Sequence, residues 1–179
     1  MALFLIPCLF FFAKTDKIVD IRFVTSFYRN EAYIKYFADK IKKKLANNNF
    51  DGILFSYHGI PQAYADDGDR YPYECEETTR LIMAQLSDMP HFHCYQSTYG
   101  RDKWLSPKTE EIVHELPKKG IKRLLVLAPG FLADNLETLL ELKDEARTAF
   151  MEAGGDNFYY ISTFNSDIEL ANILKEVIK

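Results

Sequence analysis

His58 lies in Ser-Tyr-His-Gly-Ile-Pro, just past the strand-length run Gly52 to Tyr57. An imidazole held in a rigid turn beside Gly59 and Pro61 suits proton transfer or metal contact near neutral pH, because its ordinary pKa is about 6.5. A histidine that merely caps a turn would occupy the same place. A second pattern is carboxylic: Asp134, Glu137, Glu141 and Glu145 recur at spacings of three, four and four. On a helix that spacing makes one stripe. Like charges four apart cost a helix about 0.2–0.5 kcal/mol per pair. The positive N-terminal end of the helix offsets this for the first two only. A hard divalent cation with a preference for oxygen ligands would relieve the rest; a solvated acidic face is the alternative.

Other candidates carry less. Asp66, Asp67 and Asp69 share a polar loop but lack EF-hand spacing and the distal Glu, so a solvated turn is expected. His91 and His93 fall on one face of a strand, without the further ligands zinc needs. Trp104, in the loop Ser97 to Ser106, and Phe131 are placed to flank a flat ligand by stacking.

Strands and helices must alternate to position these residues. The expected strands are Ile21 to Ser26, Gly52 to Tyr57, His91 to Gln96, Lys122 to Ala128 and Phe158 to Ser162. The expected helices are Asn30 to Asn47, Pro72 to Leu86, Pro107 to Leu116, Ala133 to Glu152 and Asp167 to Ile178, the last with Ser166 or Asp167 as cap. Gln62 to Tyr71 reads as a polar loop. The alternation predicts an α/β fold: a mostly parallel sheet covered on both faces, in three layers. Sites in such folds lie beyond the carboxyl ends of the strands. His58, the segment Gln96 to Trp104 and the segment Phe131 to Glu137 all fall there.

Composition narrows the classes. The chain has 179 residues, 47% hydrophobic and 27% charged, as an ordinary globular domain has. Twenty-two Lys and Arg against 26 Asp and Glu leave a charge of −4, which argues against nucleic acid as partner. Cys8, Cys75 and Cys94 are too widely spaced for a disulfide framework, and a reducing, cytoplasmic compartment is expected. The apolar run Met1 to Ala13 is shorter than the roughly 20 residues of a spanning helix. It is broken by Pro7 and lacks a preceding basic residue, so a buried strand or a stump is favoured over a signal.

Five segments, in order, resemble ferrochelatase, which inserts ferrous iron into a porphyrin. They are Phe-Ser-Tyr-His-Gly-Ile-Pro (from Phe55), Gly-Asp-Arg-Tyr-Pro (from Gly68), Tyr95 to Pro107, Ala128 to Leu142, and Phe-Asn-Ser-Asp (Phe164 to Asp167). The His-Gly-Ile-Pro and Pro-Gly-Phe variants resemble those of Gram-negative members. The resemblance implies a chelatase-like, Rossmann-like domain, one of the family's two similar halves, with porphyrin in the cleft between them. It places the family's catalytic histidine on His58 and glutamate on Glu137, and further members of its acidic, metal-contacting row on Asp134 and Glu141. Gln96, Trp104 and Phe131 match positions around the porphyrin pocket. Asn135 departs from the family, where many members carry His. Substrates would be ferrous iron and protoporphyrin IX, with cobalt or coproporphyrin as alternatives. No cofactor beyond the substrate iron is implied. The Cys-rich tail that holds an iron–sulfur cluster in some members is not matched.

The resemblance covers the family's second half, from about Ile21 onward. Residues 20–179 are therefore expected to be that half-domain, and residues 1–19 a divergent apolar stump where the first half would join. A separate first half is the implied protein partner, peripheral membrane contact is left open, and binding of tetrapyrrole without turnover is the alternative to catalysis.

Overall fold

A computed structural model describes residues 23–179. The apolar run, the proposed stump and Cys8 lie outside the described residues, as do Ile21 and Arg22. Four strands form one parallel sheet in the order β2-β1-β3-β4. They are β1 (Gly52–His58), β2 (His91–Gln96), β3 (Arg123–Leu127) and β4 (Asn157–Ile161). The fifth expected strand is not formed among its described residues: 23–27 have no regular structure.

Period two along the strands builds both layers. Ile53, Phe55 and Tyr57 of β1, with Leu125 and Leu127 of β3, face one way. They pack on α1 (Glu31–Leu45), α3 (Tyr71–Met83) and α6 (Ile168–Val177). Leu54, Cys94, Leu124 and Val126 face the other way, against α4 (Thr109–Glu115), a π-helix (Glu137–Ala146) and its continuation α5 (Arg147–Glu152). Ser56, His58 and Gln96 share that second parity, so β1 and β2 aim them at the π-helix. His58 and Gln96 are register partners.

Local chemistry sets the boundaries. α1 starts where Asn30 Oδ1 accepts the Tyr33 N–H at 3.0 Å, and it buries Ile34, Phe37, Ala38 and Ile41 at helical spacing. The polar stretch after β1 is not all loop, since Gln62–Asp66 forms one short helix, α2. Asp167 takes the position before α6, but its carboxylate is engaged by the Tyr36 hydroxyl and Lys40 rather than by the helix.

The largest departure is the helix expected over Ala133 to Glu152. Residues 132 and 133 form a bend, 134 and 135 have no regular structure, helix begins at Leu136, and Glu137–Ala146 is π-helical before α5 resumes the α form. π segments close i→i+5 bonds and are frequent at functional sites.

His93 illustrates the cost of the buried face. Its ring stacks on Tyr57 with centroids 4.9 Å apart, Nδ1 contacts Thr79 Oγ1 at 3.2 Å, and buried Nε2 has no partner. Burial pushes its pKa from 6.5 down to about 4. The unfolded chain therefore takes up a proton that the fold refuses. Stability from this group is complete above about pH 6.5 and is lost as pH falls towards 4. At about 1.4 kcal/mol per pKa unit, the loss is on the order of 2–3 kcal/mol. His93→Phe should flatten the fall in melting temperature between pH 7 and 4.5; an unchanged slope would refute the assignment.

Candidate active site

β1 ends at His58, and the turn after it is fixed from three sides. The Gly59 N–H donates to Gln96 O at 2.8 Å. A Cβ at Gly59 would stand 2.9 Å from that oxygen and 3.4 Å from the Trp104 ring, so only glycine fits without displacement. From below, the Tyr71 hydroxyl donates to His58 O at 2.9 Å, and Asp69 Oδ1 accepts the Tyr71 N–H at 2.9 Å. The Gly-Asp-Arg-Tyr-Pro segment thus serves as a support for the histidine turn, not as a cation loop.

With its backbone held, the His58 side chain meets Glu137. Nδ1 lies 3.1 Å from Glu137 Oε2, and both side chains remain about a third exposed, at 39% and 31%. A carboxylate only accepts, so Nδ1 carries the hydrogen of this contact, and in the neutral imidazole that tautomer leaves the lone pair on Nε2. Phe131 presents its ring to the His58 ring edge-on, with centroids 6.3 Å apart and planes at 79°. Trp104 is half-buried across the turn, with Nε1 donating to Tyr99 O at 2.8 Å and a bridge pairing it to Pro61.

Glu137 opens the π-helix. Asn135 Oδ1 accepts the N–H groups of Glu137 (3.0 Å) and Thr138 (3.1 Å), and Thr138 Oγ1 accepts the Asn135 N–H at 2.9 Å. This is the reciprocal arrangement of a capping box. The departure from histidine at this position therefore supplies a helix cap.

Gln96 is buried, at 5% exposure. Its Nε2 donates to Glu137 O at 2.7 Å, and its Oε1 accepts from Ser56 Oγ at 2.7 Å. Ser56 continues to Thr109 at 2.9 Å. Both ends of the amide are engaged within the fold, and the residue also lines the cavity between Thr109–Glu115 and the π-helix.

The acidic stripe does not survive as one row. Asp134 is not on the helix: it sits in the irregular stretch before it and turns toward β4. There it accepts from Tyr160 Oη (2.7 Å), Asn165 Nδ2 (2.7 Å) and Thr138 Oγ1 (3.2 Å). Burial works to raise its pKa, and these donors together outweigh it, so the carboxyl is held below its ordinary value. Glu141 is also engaged, by Ser97 Oγ at 2.6 Å and Tyr99 Oη at 2.7 Å. Among the described residues, no group of three or more His, Cys, Asp or Glu is arranged to hold a metal ion. Of the expected metal set His58, Glu137, Asp134 and Glu141, the structure brings together only the first two. Ser97, Tyr99, Tyr160 and Asn165 join the site by contacts that spacing does not announce; Ser97 and Tyr99 fall in the segment Tyr95 to Pro107, and Asn165, in Phe-Asn-Ser-Asp, adopts φ 52°.

Beside Glu141 and Glu145 a cavity of about 410 Å³ opens between α4 and the π-helix, lined also by Lys108 and His114. Among the described residues no helix is long and apolar enough to cross a membrane.

The family model described as Ferrochelatase matches residues 10–179. A coproporphyrin III ferrochelatase of Enterococcus faecalis is 49% identical over 168 residues, 94% of this chain and 54% of that protein. One of Lactococcus lactis is 39% identical, covering 92% of this chain and 54% of that protein. A ferrochelatase of Hydrogenovibrio crunogenus is 40% identical, covering 90% and 43%. Such a spread of hosts does not single out Gram-negative members. This chain spans about half the length of the curated relatives it matches. A solved structure described as a putative cobalamin biosynthesis CbiX protein of Marinobacter aquaeolei aligns at TM-score 0.48 and 16% identity, over 71% of this chain and 92% of that one. The fold class rests on the parallel sheet itself, covered by helices on both faces. With the histidine–glutamate pair at the strand ends and the match running over most of its length, the chain belongs to the ferrochelatase family.

Proposed function

We propose that this chain supplies the proton-accepting wall of a porphyrin metal-insertion site, where ferrous iron, as substrate, replaces the two pyrrole protons. The observation that carries the reading is the 3.1 Å contact between His58 Nδ1 and Glu137 Oε2 at the carboxyl ends of the strands. His58 Nε2, which carries the lone pair in the Nδ1–H tautomer, takes the pyrrole protons one at a time and passes the first on to solvent before it accepts the second. Glu137 holds the ring in the required tautomer and stabilises the imidazolium as it forms, a division of labour known from other histidine–carboxylate pairs. Phe131 and Trp104 flank the histidine turn, and exposed Leu136, Leu139 and Leu140 on the helix of Glu137 offer an apolar face to a flat macrocycle. Glu141, hydrogen-bonded to Ser97 and Tyr99, and exposed Glu145 lie beyond Glu137 on the same helix, and protons leave the pair along them to solvent.

The porphyrin is protoporphyrin IX or coproporphyrin III; the names of the Enterococcus and Lactococcus relatives favour the second. The complementary wall would come from a first half-domain. Absorbance titration of each porphyrin into the chain, then ferrous iron with and without an added first half, tests the reading. Porphyrin binding by the chain, with insertion when both walls are present, is expected. Binding without insertion in either case would favour a tetrapyrrole-binding module, and no binding at all would refute the proposal.

A further inference from the structure

Two consecutive residues at the end of β2 grip the π-helix one wide turn apart. Gln96 Nε2 donates to the main-chain oxygen of Glu137 at 2.7 Å, and Ser97 Oγ donates to the Glu141 carboxylate at 2.6 Å. Both are buried, at 5% and 7% exposure. The Gln96 amide cannot rotate away, because Ser56 Oγ donates to its other end and Ser56 is itself in contact with Thr109. Ser97 reaches Glu141 only from a left-handed backbone, φ 61°, which a residue with a Cβ adopts at a cost. A strained serine next to a fully anchored glutamine, both aimed at one helix, is more than strand termination requires.

A side chain that bonds to a helix main chain competes with the α ladder, and such insertions accompany bends and π turns. Here the inserted donor sits on the first carbonyl of the π segment, the carbonyl of the residue that faces His58. We infer that Gln96 and Ser97 form a two-point clamp that selects the π register of Glu137–Ala146 and so positions Glu137 against His58. Neither touches the reacting groups; both are positioning residues. The inference rests on the proposed function only for what Glu137 does. Its test reads geometry and not insertion, so the two can fail separately.

The test uses the full chain and two variants. Gln96→Leu removes the donor at similar size. Ser97→Gly removes the hydroxyl and also relieves the left-handed strain, so the melting temperature is held or raised. Amide exchange over residues 138–146 should quicken at least ~10-fold in each variant. Ring-nitrogen NMR of neutral His58 should shift from the Nδ1–H tautomer towards a mixture as the Glu137 contact is lost. Ile82→Val, on the opposite face of the sheet, controls for general loosening and should move neither reading. If Gln96→Leu fails to fold, Ser97→Gly decides alone. Wild-type exchange together with an unchanged His58 tautomer would overturn the clamp.

Discussion

His58→Ala should lower the rate of iron insertion by about 10²–10⁴-fold in the assembled site, the range a positioned acid–base group contributes, while porphyrin binding changes little. The argument is geometric. Only Nε2 of the pair is both unbonded to Glu137 and placed at the strand ends, so its removal takes away the proposed proton acceptor; the edge contact with Phe131 goes with it, while Trp104 and exposed Leu136, Leu139 and Leu140 remain to hold the macrocycle. Glu137→Gln is the sharper probe. A glutamine oxygen can still accept from Nδ1–H and hold the tautomer, but it brings no negative charge to the imidazolium. Its effect should be smaller than that of His58→Ala. The double variant should fall little below His58→Ala alone, because groups that act as a unit are not additive. Initial rates at saturating porphyrin, followed by the metalloporphyrin absorbance, give all three values. Near wild-type turnover by His58→Ala would remove the histidine from the mechanism. Additive losses would mean that the two residues act independently.

The architecture was legible because it rests on local periodicity. Ile34, Phe37, Ala38 and Ile41 announce α1, and the apolar runs of β1 and β3 announce strands buried on both faces. His58 was legible for the same reason, being the first polar residue after such a run and held beside Gly59. The π-helix was not, because its residues would also suit an α-helix. What distinguishes the two forms is a donor 41 residues away in the chain, Gln96, meeting the Glu137 carbonyl. Reading Asp134 in the same helical frame as Glu137 and Glu141 made a continuous row of charge. The cap built by Asn135 and Thr138 instead starts the helix after Asp134 and frees it to turn towards Tyr160 and Asn165. Spacing carries such information only once the start of the element is known, and here the start is set by side-chain bonds that periodicity does not register.

Asp134 gives the second large effect, on stability rather than on chemistry. Its carboxylate collects three side-chain donors, the hydroxyl of Tyr160 among them, and the main-chain N–H of Asp134 itself donates to Asn165 Oδ1 at 2.8 Å. Asp134→Ala strands these donors in a half-buried pocket. With charge-assisted bonds worth about 1.5–3 kcal/mol each, and discounted for exposure, the loss should be about 3 kcal/mol. At 2–4 °C per kcal/mol for a chain of this size, the melting temperature should drop by roughly 6–12 °C. Acid should reach the same end without mutation. A carboxyl whose folded pKa is lowered contributes its stability fully above the ordinary aspartate value of about 3.9, and that contribution fades as pH falls through the lowered one. In Asp134→Asn, where one oxygen remains to accept from Tyr160, the acid-dependent part should vanish while about half the neutral-pH stability persists. Zinc or ferrous affinity should be the same in all these variants, since both carboxylate oxygens of Asp134 are already engaged, Oδ1 by Tyr160 and Thr138 and Oδ2 by Asn165. A variant that lost metal affinity while keeping its melting temperature would reverse this assignment and restore Asp134 to the cation path. The expected result makes it the post on which the loop before Glu137 is hung.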